Sequence, residues 1–282
     1  MTRATLVSAA DYRYYRTLCQ LLLSAERHRV LAGCDVVAFD LGLTSRDRAH
    51  LRRRFPWCTL ERFSFDGYPP HVRRLEICAW KPITIDEVCR GRGGLVLWLD
   101  SATLVRACLD DVFAQIAREG VVALTGQSPL PRWCHEATFR FMDVNPVHMA
   151  RRCRSAGVLG FDGSRADVRA LVAKWRELSL IPECIDPPGA SRANHRYDQS
   201  ILNNLLAQFD ADRGRSDDTA AESEVDISSA RPVTWVSTRN RVASWIPLSC
   251  DPLVRAWYAI YKRVDRAALA ARSALNERPA VP

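Results

Sequence analysis

The first part of the chain alternates short apolar runs with segments whose apolar residues recur every three to four positions. The runs predict strands at Ala4 to Ala9, Cys34 to Leu41 and Thr59 to Phe65, because short apolar stretches rich in β-branched residues are typical of buried strands. Between them, the spacing predicts helices at Tyr14 to Glu26 and Ser45 to Arg54. This β-α-β-α-β order is typical of a parallel sheet covered by helices.

The same alternation continues as far as Phe209. Leu95 to Leu99 is a continuous apolar run, which is expected of a central strand buried on both faces. Residues 126–155 follow no regular pattern. The fold class we predict is α/β, with a Rossmann-like, mostly parallel central sheet and helices on both faces. The further predicted strands are 121–124 and 156–161, and the further predicted helices are 79–90, 109–118, 166–178 and 198–209.

These elements predict one domain over residues 1–209, followed by two segments that differ from it in composition. Residues 210–231 carry seven acidic residues and few large apolar ones, which indicates a flexible loop or a mobile lid. Residues 232–282 are expected to add a final strand at 233–237 and an amphipathic helix at 253–275 to the same domain. No apolar stretch has the length of a signal peptide or a membrane span.

The distribution of charge bears on the partners of the protein, and the cysteines bear on its redox environment. The chain has 40 basic residues and a net charge of +8, but these residues are spread along the sequence, so we expect no nucleic-acid partner. The ten cysteines form no CxxC pair, which indicates buried thiols in a reduced, cytoplasmic protein. The C-terminal helix, with Trp257, Tyr261 and Arg263, either packs on the sheet or contacts anionic lipid at the inner face of a membrane.

Candidate chemistry lies where polar residues follow the predicted strands, because ligands of open α/β sheets bind beyond the carboxyl ends of the strands. Three places qualify: Ser8 to Tyr12, Asp40, and Asp100 with Ser101. By position alone, Asp100 either holds Mg²⁺ or Mn²⁺ on a diphosphate or forms a structural cap or ion pair. The glycine-rich motifs of dinucleotide-binding and P-loop proteins are missing from the sequence.

Several of these residues occur in the same order along the chain as the motifs of a known enzyme family. Lys81-Pro82, the strand ending in Asp100-Ser101-Ala102, and Leu109 to Phe113 resemble the core of GT-A nucleotide-sugar glycosyltransferases, nearest to the glycogenin-like and lipopolysaccharide galactosyltransferase-like group. Four further segments resemble family elements in the family's order: Ser8 to Tyr12, Asp40 to Thr44, Ser155 to Phe161 and His195 to Asn203.

The resemblance implies an enzyme that moves a sugar from a nucleoside-diphosphate donor, expected to be a UDP-sugar, to a glycan, lipid-linked or small-molecule hydroxyl. It also implies roles for individual residues. Asp198 and Gln199 would be catalytic, and Gly157 would lie on the acceptor side. The nucleotide-sugar would be bound by Ser8, Asp11, Tyr12, Lys81, Asp100 and Ser101.

Two departures from the family pattern leave the cofactor open. Ala102 stands in place of the second acid of Asp-x-Asp, and Thr238 to Arg241 stand where a His-x-x-Gly-x-x-Lys motif is expected. Asp100 could bind Mn²⁺ or Mg²⁺ together with water and phosphate, or arginines could replace the cation's charge. A third alternative is a non-catalytic relative that binds a glycan or a partner. A nucleotidyltransferase would carry a glycine-rich, arginine-bearing loop after the first strand, which this sequence lacks.

Overall fold

The computed structural model describes residues 3–28, 30–215 and 236–237. The strands are β1 (Ala4–Ala10), β2 (Cys34–Asp40), β3 (Cys58–Arg62), β4 (Leu95–Leu99), β5 (Leu104–Val105), β6 (Val121–Pro129), β7 (Arg152–Asp162) and β8 (Val236–Ser237). The α-helices are α1 (Tyr15–Arg27), α2 (Ser45–Arg54), α3 (Trp80–Arg92), α4 (Asp110–Glu119), α5 (Glu136–Phe141), α6 (Ala166–Ser179), α7 (Pro182–Ile185) and α8 (Asp198–Ala211).

The main sheet has six described strands in the order β3-β2-β1-β4-β7-β6. The first four strands are parallel, and β7 runs antiparallel to both of its neighbours. Val7 of β1 lies opposite Trp98 of β4, so these adjacent strands end at the same edge of the sheet. The antiparallel β7 starts at that edge, because Leu99 at the end of β4 pairs with Val158. One edge therefore gathers the ends of β1 and β4 and the first half of β7.

Each face of the sheet is buried under helices, as the sequence predicts. On one face, Leu6 and Leu97 pack in an apolar cluster with residues of α1, α2 and α4. On the other face, Val7 and Trp98 pack with residues of α3, α6 and α8. Every residue of β4 is buried, which explains its unbroken apolar sequence.

Local signals account for several element boundaries. The side chain of Thr44 accepts a hydrogen bond from the backbone amide of Asp47, and the Asp47 carboxylate accepts one from the backbone amide of Thr44. This capping box starts α2 at the predicted residue. After β2, Gly42 adopts φ +132°, a backbone conformation that glycine reaches at little cost.

The structure corrects two predicted boundaries. Residues 126–155 are not wholly irregular, because β6 extends to Pro129, α5 covers Glu136–Phe141 and β7 begins at Arg152. Helix α8 continues to Ala211, beyond the predicted start of the acidic loop. Asp210 belongs to that helix because its buried carboxylate pairs with Arg154, which removes the cost of burying the charge.

Two predicted elements lie largely outside the described residues. Of the predicted strand at 233–237, Val236–Ser237 pair with β5, and the rest of that segment is not described. The predicted C-terminal helix, at 253–275, is also outside the described residues. Within the described part of the chain, no helix is long and apolar enough to cross a membrane.

Candidate active site

The centre of the candidate site is a buried lysine that lies between two carboxylates. Lys81 comes from the first turn of α3, and only 5% of its side chain is exposed. Its ammonium donates hydrogen bonds to Asp100 Oδ1 at 2.9 Å and to the carbonyl oxygen of Ala156 at 3.1 Å. Asp198 Oδ2 is 3.9 Å from the same nitrogen. Four elements, α3, β4, β7 and α8, therefore meet at one charged group.

Asp100 is held by partners on both sides. The indole nitrogen of Trp98 donates to Asp100 Oδ1 at 2.8 Å, so this oxygen accepts from both Trp98 and Lys81. The backbone amide of Asp100 donates to the carbonyl of Gly157 at 2.9 Å. A Cβ atom at position 157 would lie 3.2 Å from Asp100 Oδ2. Glycine at this position therefore avoids crowding the carboxylate. The side chain of Asp100 remains 46% exposed, which leaves it open to a ligand.

Asp198 differs from Asp100 because its carboxylate is buried. Its side chain is 6% exposed, and Oδ2 has no hydrogen-bond partner within the described structure. Burial raises the pKa of Asp198 to about 7, with the Lys81 charge opposing this shift and the Asp100 charge adding to it. The pKa of Lys81 is raised above its ordinary value: burial opposes the charge, but Asp100 and Asp198 together outweigh it. The ammonium therefore stays charged at neutral pH.

The backbone around Asp198 is locked in an unusual shape. Tyr197, directly before it, has φ +52° and ψ −116°, a region that residues other than glycine rarely adopt. The indole nitrogen of Trp175 donates to the carbonyl of Asp198 at 2.8 Å. His195 is fully buried, accepts at Nδ1 from the backbone amide of His135 and donates from Nε2 to the carbonyl of Ile185. These contacts hold the strained turn that presents Asp198 at the start of α8.

His195 has a neutral ring because of its surroundings. Burial lowers its pKa to about 4, and both ring nitrogens already have backbone partners that suit the neutral form. Its position three residues before Asp198 makes it a positioning residue for the turn.

Ser101, Tyr12 and Ser8, which the resemblance assigns to the nucleotide-sugar, lie in different surroundings. Ser101 closes the turn after β4 and lies 3.4 Å from the hydroxyl of Thr17, so it belongs to the same edge as Asp100. Tyr12 is 62% exposed on the loop after β1, and the guanidinium carbon of Arg13 lies 5.9 Å from the centre of its ring. Ser8 does not follow β1 as predicted. It lies within that strand and is buried, and its hydroxyl has no partner within the described residues.

Asp11 and Gln199 have local partners whose roles are structural. The carboxylate of Asp11 accepts from the amides of Arg13 and Tyr14 and from the guanidinium of Arg13, which fixes the turn before α1. The side-chain amide of Gln199 donates to the carbonyl of Arg154 at 2.9 Å and so joins α8 to β7. Donor contacts of Asp11 and a sugar contact of Gln199 stay predictions.

Sequence reasoning missed two parts of this site. The sequence predicts Trp98 only as a core residue of an apolar strand, yet its indole nitrogen fixes Asp100. The signal was present, because residues two apart in a strand point to the same face. Cys78 was interpreted as one of many buried thiols. It adopts φ +57° just before α3, and burial together with Asp198 raises the pKa of its thiol to about 12, so the thiol stays neutral.

Known structures with a similar fold place this arrangement in context. No protein-family model matches the chain, and no curated protein matches it significantly. The galactosyltransferase LgtC, solved in complex with donor and acceptor sugar analogues, matches with 21% identity and a TM-score of 0.50, over 83% of this chain and 86% of that one. The chain has the GT-A fold.

Two other similar structures have lower TM-scores. The bifunctional glycosyltransferase WbbM matches with 14% identity and a TM-score of 0.48, over 72% of this chain and 37% of that one, so the GT-A chain described here spans little more than a third of WbbM. Mouse xyloside xylosyltransferase 1 matches with 12% identity and a TM-score of 0.45, over 74% and 82% of the two chains. The predicted fold class, an α/β sheet of mostly parallel strands, is thus confirmed.

The GT-A fold raises the question of a divalent cation, and the donor groups present here do not suit one. Asp100 is the single acid of the turn, because Ala102 replaces the second one. One of the two Asp100 oxygens is already occupied by an ammonium and an indole N–H. Among the described residues, no three His, Cys, Asp or Glu side chains are grouped to hold a metal ion. We therefore assign no catalytic step to a metal.

Proposed function

We propose that this protein transfers a sugar from a nucleoside-diphosphate donor to a hydroxyl acceptor. The observation that carries the proposal is the Lys81–Asp100–Asp198 cluster at the edge where β1 and β4 end, in a GT-A fold. Ligands of such sheets bind beyond the carboxyl ends of the strands. A buried lysine between two carboxylates is costly to build for stability alone, which favours a role in binding or catalysis.

The chemical task is to stabilise the departing diphosphate and to hold the acceptor hydroxyl near the anomeric carbon. In the proposal, the donor lies across the loop after β1 and the turn after β4, with its nucleoside beside Tyr12 and Asp11 and its diphosphate and sugar beside Lys81 and Asp100. The exposed ring of Tyr12 suits stacking on a nucleobase. The half-exposed Asp100 suits a hydrogen bond from a sugar hydroxyl.

Asp198 is proposed as the catalytic carboxylate, and Gly157, which lies next to Asp100, is proposed to be on the acceptor side. The ionised form of Asp198 would stabilise the positive charge that develops on the donor sugar, or orient the acceptor hydroxyl. Lys81 is proposed to offset the repulsion between the Asp100 and Asp198 carboxylates and to hold both in position. Gln199 is proposed to contact the sugar with the part of its amide that does not bind Arg154.

The test is a thermal-shift panel of nucleoside diphosphates, followed by release of nucleoside diphosphate from the matching nucleotide-sugars. A ligand at about 100 times its Kd stabilises by about 2.7 kcal/mol, or roughly 5–10 °C for a chain of this size. We expect UDP to give such a shift in the wild type and a much smaller one in Asp100→Asn. If none of the nucleotides shifts the melting temperature, the proposal fails. Binding without turnover would instead leave a nucleotide-sugar-binding module.

A further inference from the structure

The cluster already contains a fixed positive charge at the place where a cation would be useful. The Lys81 ammonium is 2.9 Å from Asp100 Oδ1 and 5.4 Å from the centre of the Trp98 ring, so a carboxylate and an aromatic face both stabilise its charge. The side chain is nearly fully buried and cannot move away without breaking these contacts. A divalent ion bound to the same carboxylate would be repelled by this ammonium.

Among the described residues, the protein's remaining donors near Asp100 are too few to overcome that repulsion. Mg²⁺ and Mn²⁺ prefer oxygen ligands, and a site with one carboxylate depends on other anionic groups. A second described carboxylate, that of Asp198, is only 6% exposed and lies 3.9 Å from the Lys81 ammonium, which already balances its charge. Nor does the chain contain a histidine after His195, so the undescribed C-terminal segment cannot supply an imidazole ligand.

We infer that the protein binds its nucleoside-diphosphate donor without a divalent cation, with Lys81 as the fixed positive charge of the site. This inference rests on the proposed function for the identity of the ligand. The misfit of the protein's own groups to a cation stands on Lys81, Asp100 and Ala102 and can be tested with no nucleotide present. Whether the diphosphate completes a cation site is decided by the measurements with UDP. It also gives a chemical reason for Ala102: a second carboxylate next to Asp100 is unnecessary where no metal has to be held.

The experiment is a titration of the full chain with Mn²⁺ alone, followed by electron paramagnetic resonance, in which bound Mn²⁺ loses the six-line signal of the free ion. We expect wild type to leave the signal unchanged up to about 1 mM protein sites, the range of the weakest cation sites in proteins. Ala102→Asp is the matched variant, because it restores the missing acid two residues after Asp100. It is expected to gain Mn²⁺ affinity by about tenfold or more.

Melting temperatures with UDP in EDTA and in Mn²⁺ give the second measurement. Equal UDP shifts under the two conditions support the inference. Mn²⁺ binding by the wild type that disappears in Asp100→Asn overturns it, as does a UDP shift that needs Mn²⁺. If UDP gives no shift under either condition, the proposed function fails, and the Mn²⁺ titration of the protein alone still decides whether Asp100 holds a cation.

Discussion

Asp40 at the end of β2 and Asp100 just after β4 stand at the same edge of the sheet and look alike in sequence, but their surroundings differ. Asp40 is saturated by its own turn: Oδ1 accepts from the amides of Gly42 and Leu43, and Oδ2 pairs with Arg48. Asp100 instead meets Lys81, which is 19 residues away, and keeps an exposed oxygen. Asp198 has an oxygen, Oδ2, that has no hydrogen-bond partner in the described structure and lies 3.9 Å from the Lys81 ammonium.

This difference separates structural acids from candidate functional ones. A carboxylate whose lone pairs are filled by the next few backbone amides shapes the chain locally and gains little by meeting a ligand. A carboxylate that is held by side chains from distant elements, and is left partly unsatisfied, can still accept hydrogen bonds from a ligand. In its hydrogen bonding Asp11 resembles Asp40, because the partners of its carboxylate are Arg13 and Tyr14, and its contact with the donor stays a prediction.

The distinction between structural and functional carboxylates is tested most strongly by neutralising one acid of each kind. Asp100→Asn should lower the rate of nucleoside-diphosphate release by about 100- to 1,000-fold, because it removes a charge at the reacting donor. Asp40→Asn should leave that rate within about twofold while lowering the free energy of unfolding by about 1–2 kcal/mol, since backbone amides lose a charged acceptor. Steady-state kinetics and urea unfolding measure the two effects. Equal losses of activity in both variants would contradict the distinction.

Lys81 should matter for stability as well as for binding. Lys81→Met removes the buried ammonium and leaves Asp198 without its counter-charge, so we expect the free energy of unfolding to fall by about 3 kcal/mol. Lys174→Met is the matched control: Lys174 pairs with Glu177 on an exposed face of α6, and its loss should cost less than about 0.5 kcal/mol. Urea titrations compare them. A Lys81→Met variant as stable as the control would show that the cluster is not an electrostatic unit.

His195 makes the support of Asp198 sensitive to acid. Its folded-state pKa, about 4, is below the ordinary value of 6.5, so the unfolded chain binds the extra proton first and stability is lost as the pH falls. Between roughly pH 6.5 and pH 4.5 this group should cost about 2 kcal/mol of unfolding free energy. Urea unfolding across that window should show a steeper dependence in wild type than in His195→Gln. Parallel curves would mean that His195 is not buried in its neutral form.

Asp198 should make the rate of the reaction depend on pH as well. Because its pKa is raised to about 7, the ionised form that the proposal requires becomes more populated as the pH rises. We expect kcat/KM to rise about tenfold between roughly pH 6 and pH 8, with Asp198→Asn slower and flat. The same raised pKa means that this group's contribution to stability declines as the pH rises through 7. A wild-type profile that is flat through pH 7 would assign the catalytic carboxylate elsewhere.

Much of the fold could be predicted from the sequence because the signals are local. The apolar run of β4 and the capping box at Thr44 each depend on residues within a few positions of one another. The start of β7 was missed because Arg152 and Arg154 are charged, and only tertiary partners, such as Asp210 for Arg154, make them acceptable there.

The site was predictable in part. Lys81, Asp100, Gly157 and Asp198 were selected from the resemblance, and the structure brings them together. What the sequence could not show is how saturated each acid is, because hydrogen-bond partners depend on the folded backbone. Asp11 and Asp100 therefore looked equivalent until their partners were known. The strain at Tyr197 was equally hidden, since no sequence signal marks a tyrosine with positive φ.

A crystal structure of the protein with UDP, grown with EDTA in the mother liquor, tests the central claim most directly. The account predicts a diphosphate beside Lys81 and Asp100, a uracil ring near Tyr12, and no metal ion between the phosphates and Asp100. A nucleotide bound away from the β1–β4 edge would contradict the assignment of the partly unsatisfied acids as the donor site.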